Sequence, residues 1–195
     1  MKETPIIMSG NHPRLILDLL KTQTRRVIKP QPELSAFDFA PYLWKGTNYD
    51  HLMLESKCPY GQVGDRLWVK ETWATENRYN NLKPSELPQT AKIWYLADCD
   101  YDPFQVGIIR PSIFMPRWAS RILPVITEVR VERVQDITAG DCTKEGIPYE
   151  DGDYVSMKVF EKFRLLWDSL NAKRGYGWET NPWVWVLSFK VVGEI

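Results

Sequence analysis

The sequence has few of the side chains on which metal sites and nucleophilic sites usually depend. It contains two histidines and three cysteines, namely His12, His51, Cys58, Cys99 and Cys142. A disulfide framework uses an even number of cysteines, and zinc sites use ligands paired at short spacings. We therefore expect a protein of a reducing compartment, the cytoplasm, that works with no metal and no cofactor.

Charge of one sign and long apolar runs are missing as well. Lysine plus arginine and aspartate plus glutamate number 25 each, so the formal net charge is zero. This balance argues against a sequence-blind coat on nucleic acid. No apolar run reaches the roughly 18 residues of a membrane span, and the first residues lack the apolar segment of a signal peptide. These features predict a globular protein with no membrane partner, and no pattern calls for a dimer, so we expect a monomer.

Aromatic side chains, in contrast, are abundant, with nine tryptophans, nine tyrosines and seven phenylalanines. Trp183 and Trp185 alternate in a final apolar strand, and Trp167 lies on the apolar face of a helix, so all three are expected in the core. Trp68 and Trp118 are the rings that we expect to stack on a flat ligand.

Apolar periodicity predicts several short strands and three helices. Strands are expected over 5–8, 22–28, 66–73, 93–97, 122–134 and 183–192, and helices over 12–20, 138–145 and from 157 to a stop at Gly175. Thr138 and Asp141 match a capping box. The strand over 122–134 is expected to keep one face from Val125 to Val131. The predicted fold class is α+β and mostly β, a small β-barrel decorated by about three helices, with loop insertions.

The sharpest local feature is the segment K-T-Q-T-R-R from Lys21 to Arg26. In a strand, alternation places Thr24 and Arg26 on one face and Arg25 on the other. A helix that ends at Lys21 would let its ammonium turn toward Thr24. A lysine whose pKa is lowered by burial can activate a hydroxyl nucleophile. On composition alone, a solvated charge run at the start of a strand is the more ordinary interpretation.

The order of motifs resembles the ASCH domain, a family of PUA-like β-barrels. After the first helix and K-T-Q-T-R-R come G-D-R-L-W-V, then D-I-T-A-G-D-C-T-K-E-G and a final aromatic strand. The family signature G-x-K-x-x-E-x-R is met at Lys21 and Arg26, whereas Leu19 replaces its glycine and Thr24 its glutamate. The chain also resembles ASCH proteins of about this length that phages and prophages encode. The resemblance implies a single PUA-like (ASCH) domain over 1–195, with insertions around 31–60 and 75–117.

One subgroup of the family, the bacterial amidohydrolases of N4-acetylcytidine, is similar at K-T-x-T-x-R. This resemblance implies that Lys21, Thr24 and Glu145 are catalytic, with Thr24 as nucleophile and Lys21 as base. Glu145 would hold the cytosine edge or carry a proton to the leaving amine. At a helix end it should need a cation, either Lys21 or Arg26. Arg26 is expected to stabilise the oxyanion or to orient Glu145. Either expected stacking tryptophan, Trp68 or Trp118, would lie against the base.

Two other classes of function stay open. PUA-like barrels commonly bind RNA or a flipped, modified base, and a non-catalytic module would contact RNA or single-stranded DNA through Arg25, Arg117 and Arg121. The ordinary interpretation of each of these arginines is surface charge. The third class is a protein-interaction domain with a vestigial pocket. Removal of an N4-acyl group from a nucleoside is placed first, because all three residues of the amidohydrolase motif are present.

Overall fold

The computed structural model describes residues 1–32, 58–98, 104–148 and 155–191. Over these ranges the chain is α+β and mostly β, as predicted. The strands are β1 (Glu3–Ile7), β2 (Gln23–Val27), β3 (Arg66–Lys70), β4 (Trp73–Thr75), β5 (Ile93–Tyr95), β6 (Pro124–Arg133) and β7 (Trp183–Val191). The α-helices are α1 (His12–Leu17), α2 (Ala139–Lys144) and α3 (Val155–Asn171), and short 3-10 turns occupy many of the connections.

Five strands form one sheet in the order β1-β3-β6-β7-β2, in which β1 and β3 are parallel and the other neighbours antiparallel. In the described part of the chain no backbone pairing joins the two edge strands, β1 and β2. Instead, Arg26 Nη2 on β2 donates to the backbone oxygen of Ile7 on β1 at 2.6 Å. The sheet therefore curls until its edges are one side chain apart. Among the described strands no pairing closes the barrel, and an open seam lies between β1 and β2.

The last strand, β7, lies between two apolar clusters. Trp185, Leu187 and Phe189 face the cluster that the curled sheet encloses with α1. Val184 and Val186 face the opposite cluster, built from α2 and α3. A strand that is buried on both faces exposes little of its surface to water. Its packing on both sides fixes the position of the strands that pair with it. Since β7 is the only described strand with which β2 pairs, the position of β2 depends on this buried strand.

Strand β6 contains a β-bulge. Its register with β7 shifts between Ile126 and Glu128, and Thr127 is exposed. Ile126 and Val131 are buried in the same cluster although their positions differ by an odd number, which in a regular strand would place them on opposite faces. The single face predicted from Val125 to Val131 is therefore wrong, because the extra residue of a bulge reverses the alternation of side chains.

The chain between β3 and β6 builds a second, smaller layer. Strand β4 pairs with β5 in antiparallel fashion, and Trp73, Leu87, Met115 and Ala119 form its apolar core. This layer includes most of the region around 75–117 that the sequence marks as an insertion. The other expected insertion, around 31–60, lies mostly outside the described residues.

Two turns with positive φ place Lys21 against Glu145. Leu19 has a φ of 60°, and after it Lys21 N donates to the oxygen of Leu15 at 2.9 Å. Gly146 has a φ of +90°, and a Cβ there would lie 2.9 Å from Leu15 Cδ1 and 3.4 Å from Lys21 Cβ. Glycine at position 146 thus permits the close approach of the two segments.

The left-handed backbone of Leu19 leads to a stability prediction. Replacing Leu19 by glycine is expected to raise the free energy of unfolding by about 1 kcal/mol, because a left-handed conformation costs other residues about 1–2 kcal/mol. The side chain is 61% exposed, so its removal loses little burial. Leu20, 60% exposed and without a positive φ, is the matched control. Urea denaturation should show Leu20→Gly unchanged or less stable. A less stable Leu19→Gly protein would contradict the prediction.

Candidate functional site

A cleft of about 1240 Å³ follows the seam between β1 and β2. Residues of β1, of β2 and the chain after it, of the start of α1, and of one face of α3 line it together with Glu145. Because β2 is an edge strand, side chains of both its faces reach the cleft, Thr24 from one and Arg25 from the other. The three predicted catalytic residues, Lys21, Thr24 and Glu145, all line it.

Lys21 and Glu145 form a buried ion pair in this cleft. They are 1% and 4% exposed, and Lys21 Nζ donates to Glu145 Oε2 and to its backbone oxygen, both at 2.7 Å. An isolated antiparallel bridge fixes the two backbones side by side. Loss of hydration disfavours the charged amine and holds the pKa of Lys21 below its ordinary value, although Glu145 opposes this shift. A buried amine with a lowered pKa is the kind of base that can activate a hydroxyl.

Glu145 caps the C-terminus of α2, where the helix dipole disfavours a carboxylate. Two cations compensate, since Arg25 Nη1 donates to Glu145 Oε1 at 3.2 Å while Lys21 holds the other oxygen. The prediction of Lys21 as a partner is confirmed. Of the two alternatives, Arg26 makes no such contact, because alternation along β2 turns it to the face opposite Arg25.

Arg25 is buried among acidic partners. Its Nε donates to Glu132 Oε1 at 3.0 Å, its Nη2 lies 3.4 Å from Asp141 Oδ2, and its guanidinium lies 5.8 Å from the ring centroid of Phe163. The predicted contact of Arg25 with nucleic acid is therefore wrong, since a buried cation with three carboxylate partners offers no surface to phosphate. Its contacts make Arg25 a residue that positions Glu145.

Thr24 lies opposite Leu187 of β7 and is 4% exposed. In the described part of the chain, the hydrogen bonds of Lys21 Nζ run to Glu145 and not to the Thr24 hydroxyl. The Lys21 ammonium is therefore directed at Glu145 in this structure, and not at Thr24 as expected. Activation of the hydroxyl would require Lys21 Nζ to exchange its contact with Glu145 Oε2.

Arg26 shares the Thr24 face of β2 and also lines the cleft. Besides its bond to Ile7, its Nη2 lies 3.4 Å from Met8 Sδ, and its Nε is buried without a hydrogen-bond partner among the described residues. Burial holds the pKa of Arg26 below its ordinary value. No hydrogen bond joins Arg26 to Glu145 among the described residues, so of its two expected roles the contact with an oxyanion through the unpaired Nε is the one that stays a prediction.

The two predicted stacking rings do not line the cleft. On β3, Leu67 and Val69 face the main core, so alternation turns Trp68 to the other side, where Lys70 Nζ lies 5.3 Å from its ring centroid. Trp118 packs on the small core beneath β4 and β5. Both predictions are wrong, because these tryptophans belong to other faces of the molecule.

Other rings line the cleft, namely those of His12, Tyr60, Phe163, Trp167 and Trp185. Sequence reasoning missed His12 and Tyr60 as candidates for the site. Both lie outside the strands, one at the first turn of α1 and one in the turn before β3, where no periodicity marks a face. The only signal available was the position of His12 beside the Asn11-Pro13 helix start, nine residues before Lys21.

His12 predicts a pH dependence of stability. Burial, helped by the charge of Lys21, lowers its pKa from 6.5 to about 4. Between these values the unfolded chain binds a proton that the folded chain does not, so stability is lost as pH falls from about 6.5 to about 4. We expect this residue to account for a loss of roughly 3 kcal/mol by pH 4.

The measurement is urea denaturation of the native protein and of His12→Gln at pH 7 and pH 4. The variant should lack this part of the acid-induced loss. The same pH dependence in both proteins would contradict the assignment to His12.

The other two arginines predicted to bind nucleic acid are paired with carboxylates. Arg117 donates to both oxygens of Glu3, at 2.8 and 3.1 Å, on the surface. Arg121 donates to Glu71 Oε1 at 3.0 Å and to Asp98 Oδ2 at 2.6 Å, which joins the small layer to the end of β3. Contact of Arg117 with phosphate stays a prediction. Contact of Arg121 with phosphate also stays a prediction, and it would have to compete with the two carboxylates that bind its guanidinium.

The described ranges hold neither a cluster of metal ligands nor a reactive thiol. No three histidine, cysteine, aspartate or glutamate side chains there lie close enough together to hold a metal ion. Cys58 and Cys142 are buried free thiols, and burial raises the pKa of Cys142 to about 12, so its thiolate is suppressed. None of the described helices is both long enough and apolar enough to cross a bilayer.

Comparison with known proteins gives a distant match. No family model matches the sequence, and no curated protein matches it. A solved chain, the ASCH domain from Lactobacillus crispatus JV V101, is similar over 97% of this chain and 79% of that chain, with 13% sequence identity and a TM-score of 0.42. A likeness this distant assigns no chemistry, so the role of each side chain rests on its own contacts. The similar structure is an ASCH domain. This is the family that the present sequence resembles at K-T-Q-T-R-R and in the order of its motifs.

Proposed function

We propose that the protein hydrolyses the N4-acyl amide of a cytidine-type nucleoside. The observation that carries the proposal is the buried Lys21, whose pKa is lowered, in a cleft that Thr24 also lines. The resemblance of K-T-x-T-x-R to the N4-acetylcytidine amidohydrolases supports the same substrate class. The rings of His12 and Tyr60 in the cleft are suited to a flat base.

Before the first half of the reaction, Lys21 leaves its contact with Glu145 and releases one proton to solvent. As the neutral amine it then accepts the proton of the Thr24 hydroxyl. The Thr24 oxygen forms a bond to the acyl carbon, and the carbonyl electron pair moves onto oxygen. Arg26 Nε, buried and unpaired among the described residues, is the candidate donor to this oxyanion. The bond from carbon to N4 then breaks, N4 takes the proton from Lys21, and the free nucleoside leaves.

In the second half, water releases the acyl group from Thr24. Lys21 accepts a proton from the attacking water, whose oxygen bonds to the ester carbon. The bond from carbon to the threonine oxygen breaks, Thr24 regains its proton from Lys21, and a carboxylic acid leaves. The same amine thus acts once as base and once as acid in each half.

Glu145 keeps its charge through these steps because Arg25 holds its second oxygen. A carboxylate so placed can accept a hydrogen bond from the N4–H of the acylated base, which orients the amide toward Thr24. When the cycle ends, the neutral Lys21 takes up the proton that the product carboxylic acid releases, and the ammonium pairs again with Glu145. Arg25 acts through Glu145 in this scheme and has no contact of its own with the reacting atoms.

A second candidate function is a module that binds a modified base without catalysis. The favouring observation is that Lys21 Nζ is already bonded to two oxygens of Glu145, and neither bond is to Thr24. In such a module the ion pair would present a fixed pattern of charge to the edge of the base. Binding of N4-acetylcytidine without turnover is the result that would favour this candidate.

The test is incubation of the native protein with N4-acetylcytidine, followed by ultraviolet absorbance and chromatography of the products. Release of cytidine and acetate in equal amounts is expected. N4-methylcytidine, which has no acyl carbon, should remain unchanged. A parallel preparation of Thr24→Val controls for a co-purifying hydrolase. Absence of turnover by the folded native protein would overturn the proposal.

A further inference from the structure

The lining of the cleft is strongly cationic, although the chain as a whole is neutral. Only one acidic side chain, Glu145, lines it among the described residues. The lining cations are Lys21, Arg25, Arg26, Lys29 and Arg174. A cleft with walls of low dielectric concentrates the field of such charges and attracts anions.

The two innermost cations are neutralised by the protein itself. Lys21 is paired with Glu145, and Arg25 with Glu145, Glu132 and Asp141. These two therefore add little to the attraction of an anionic ligand.

The three outer cations have no carboxylate partner among the described residues. Arg26 bonds to a backbone oxygen and a thioether, and Lys29 Nζ lies 4.9 Å from the ring centroid of Tyr176. Arg174, at the end of the turn that follows α3, lies close enough to Arg26 for its charge to lower the pKa of Arg26. Like charges that lie close together repel each other, and the binding of an anion between them removes this unfavourable electrostatic energy.

We propose that the mouth of the cleft, formed by Lys29 and Arg174 with Arg26 behind them, binds the phosphate of a nucleotide. The physiological ligand is then a nucleotide or a nucleic-acid strand and not a free nucleoside. This inference rests on the proposed function for the identity of the base and adds the phosphate to it. Arg26 stands between the two subsites, with its Nη2 held by Ile7 and its Nε available to the ligand.

The dimensions agree with a ligand larger than a base. Ligand pockets commonly measure about 300–1,000 Å³, and the cleft measures about 1240 Å³. A base near Lys21 and Thr24 therefore leaves room for sugar and phosphate toward Lys29 and Arg174. Lys29 and Arg174 are both exposed, so a phosphate can reach their side chains without displacing protein.

The experiment is titration calorimetry of the native protein with cytidine, cytidine 5′-monophosphate and a short oligocytidylate at one salt concentration. The monophosphate is expected to bind at least ten-fold more tightly than cytidine. Lys29→Gln and Arg174→Ala should each reduce this preference several-fold. Lys173→Ala is the matched control, because Lys173 is an exposed neighbour that does not line the cleft. Its preference should equal that of the native protein.

The oligomer separates the two sources of phosphate. A further gain in affinity that falls steeply with added salt would identify a strand as the ligand, since several phosphates then release counterions. An oligomer no tighter than the monophosphate would identify a mononucleotide. Equal affinities for cytidine and its monophosphate, or no measurable binding of the monophosphate, would overturn the inference.

These outcomes are independent of hydrolysis. Turnover of N4-acetylcytidine without a preference for phosphate would leave the hydrolase proposal standing and remove the phosphate subsite. A phosphate preference that depends on Lys29 and Arg174, without turnover, would support the phosphate subsite and overturn the hydrolase proposal.

Discussion

Replacement of Glu145 by alanine is expected to lower the free energy of unfolding by about 3–5 kcal/mol, which is the usual cost of removing one partner of a buried ion pair. The cost arises because Lys21, 1% exposed, would keep its charge without a partner or lose its proton. Arg25 would also lose one of its carboxylates. Urea denaturation at neutral pH measures the effect.

Two controls separate the buried pair from a general loss of charge. Glu128 makes a longer, exposed contact with Arg130, so Glu128→Ala should cost less than about 1 kcal/mol. The double variant Lys21→Met with Glu145→Leu removes both charges and should recover most of the stability, because apolar replacements of a buried pair are often neutral. A loss in Glu145→Ala as small as that in Glu128→Ala would show that the pair is not held as described.

Replacement of Thr24 by valine is expected to reduce turnover of N4-acetylcytidine by roughly 10³-fold or more, equivalent to about 4 kcal/mol of transition-state stabilisation. Valine keeps the branched shape of threonine in a site that is 4% exposed, but it has no oxygen to attack the acyl carbon. The variant should therefore fold and bind the substrate. Initial rates and circular dichroism measure the two properties separately.

A matched pair of variants isolates the hydroxyl. Thr24→Ser keeps an oxygen and should retain turnover within about ten-fold of the native rate. Thr22→Val removes a hydroxyl two residues earlier, from a side chain that does not line the cleft, and should leave the rate unchanged. A Thr24→Val protein as active as the native one would exclude Thr24 as the nucleophile.

Local signals in the sequence were sufficient to predict several elements. The Thr138 hydroxyl accepts from the backbone N–H of Asp141, as the capping box requires, and α2 follows. Gly175 adopts a left-handed φ of 83° at the end of the turn after α3, as its position predicted. Alternation also placed Thr24 and Arg25 on opposite faces of β2 correctly. These features depend on residues that are neighbours along the chain.

The partners across the fold could not be predicted in the same way. Alternation separates Arg25 from Arg26, but it does not say which of the two faces meets α2 and Glu145. The bulge at Thr127 carries no local signal, and it reverses the faces of β6. Trp68 was misassigned because a ring in a short strand looks the same whether it faces a cleft or the opposite side of the sheet. These assignments depend on how distant segments pack.

The pairing of β2 has a consequence for the order in which the protein forms. Lys21 and Glu145 are separated by 124 positions, and among the described strands β2 pairs in the sheet only with the last one, β7. Contacts between segments so distant along the chain are closed late in folding, and synthesis proceeds from the N-terminus. A nascent chain that ends before Trp183 would contain Lys21, Thr24 and Glu145 but would lack the strand with which the Thr24 segment pairs. The site is therefore completed only when the C-terminal strand has joined the sheet.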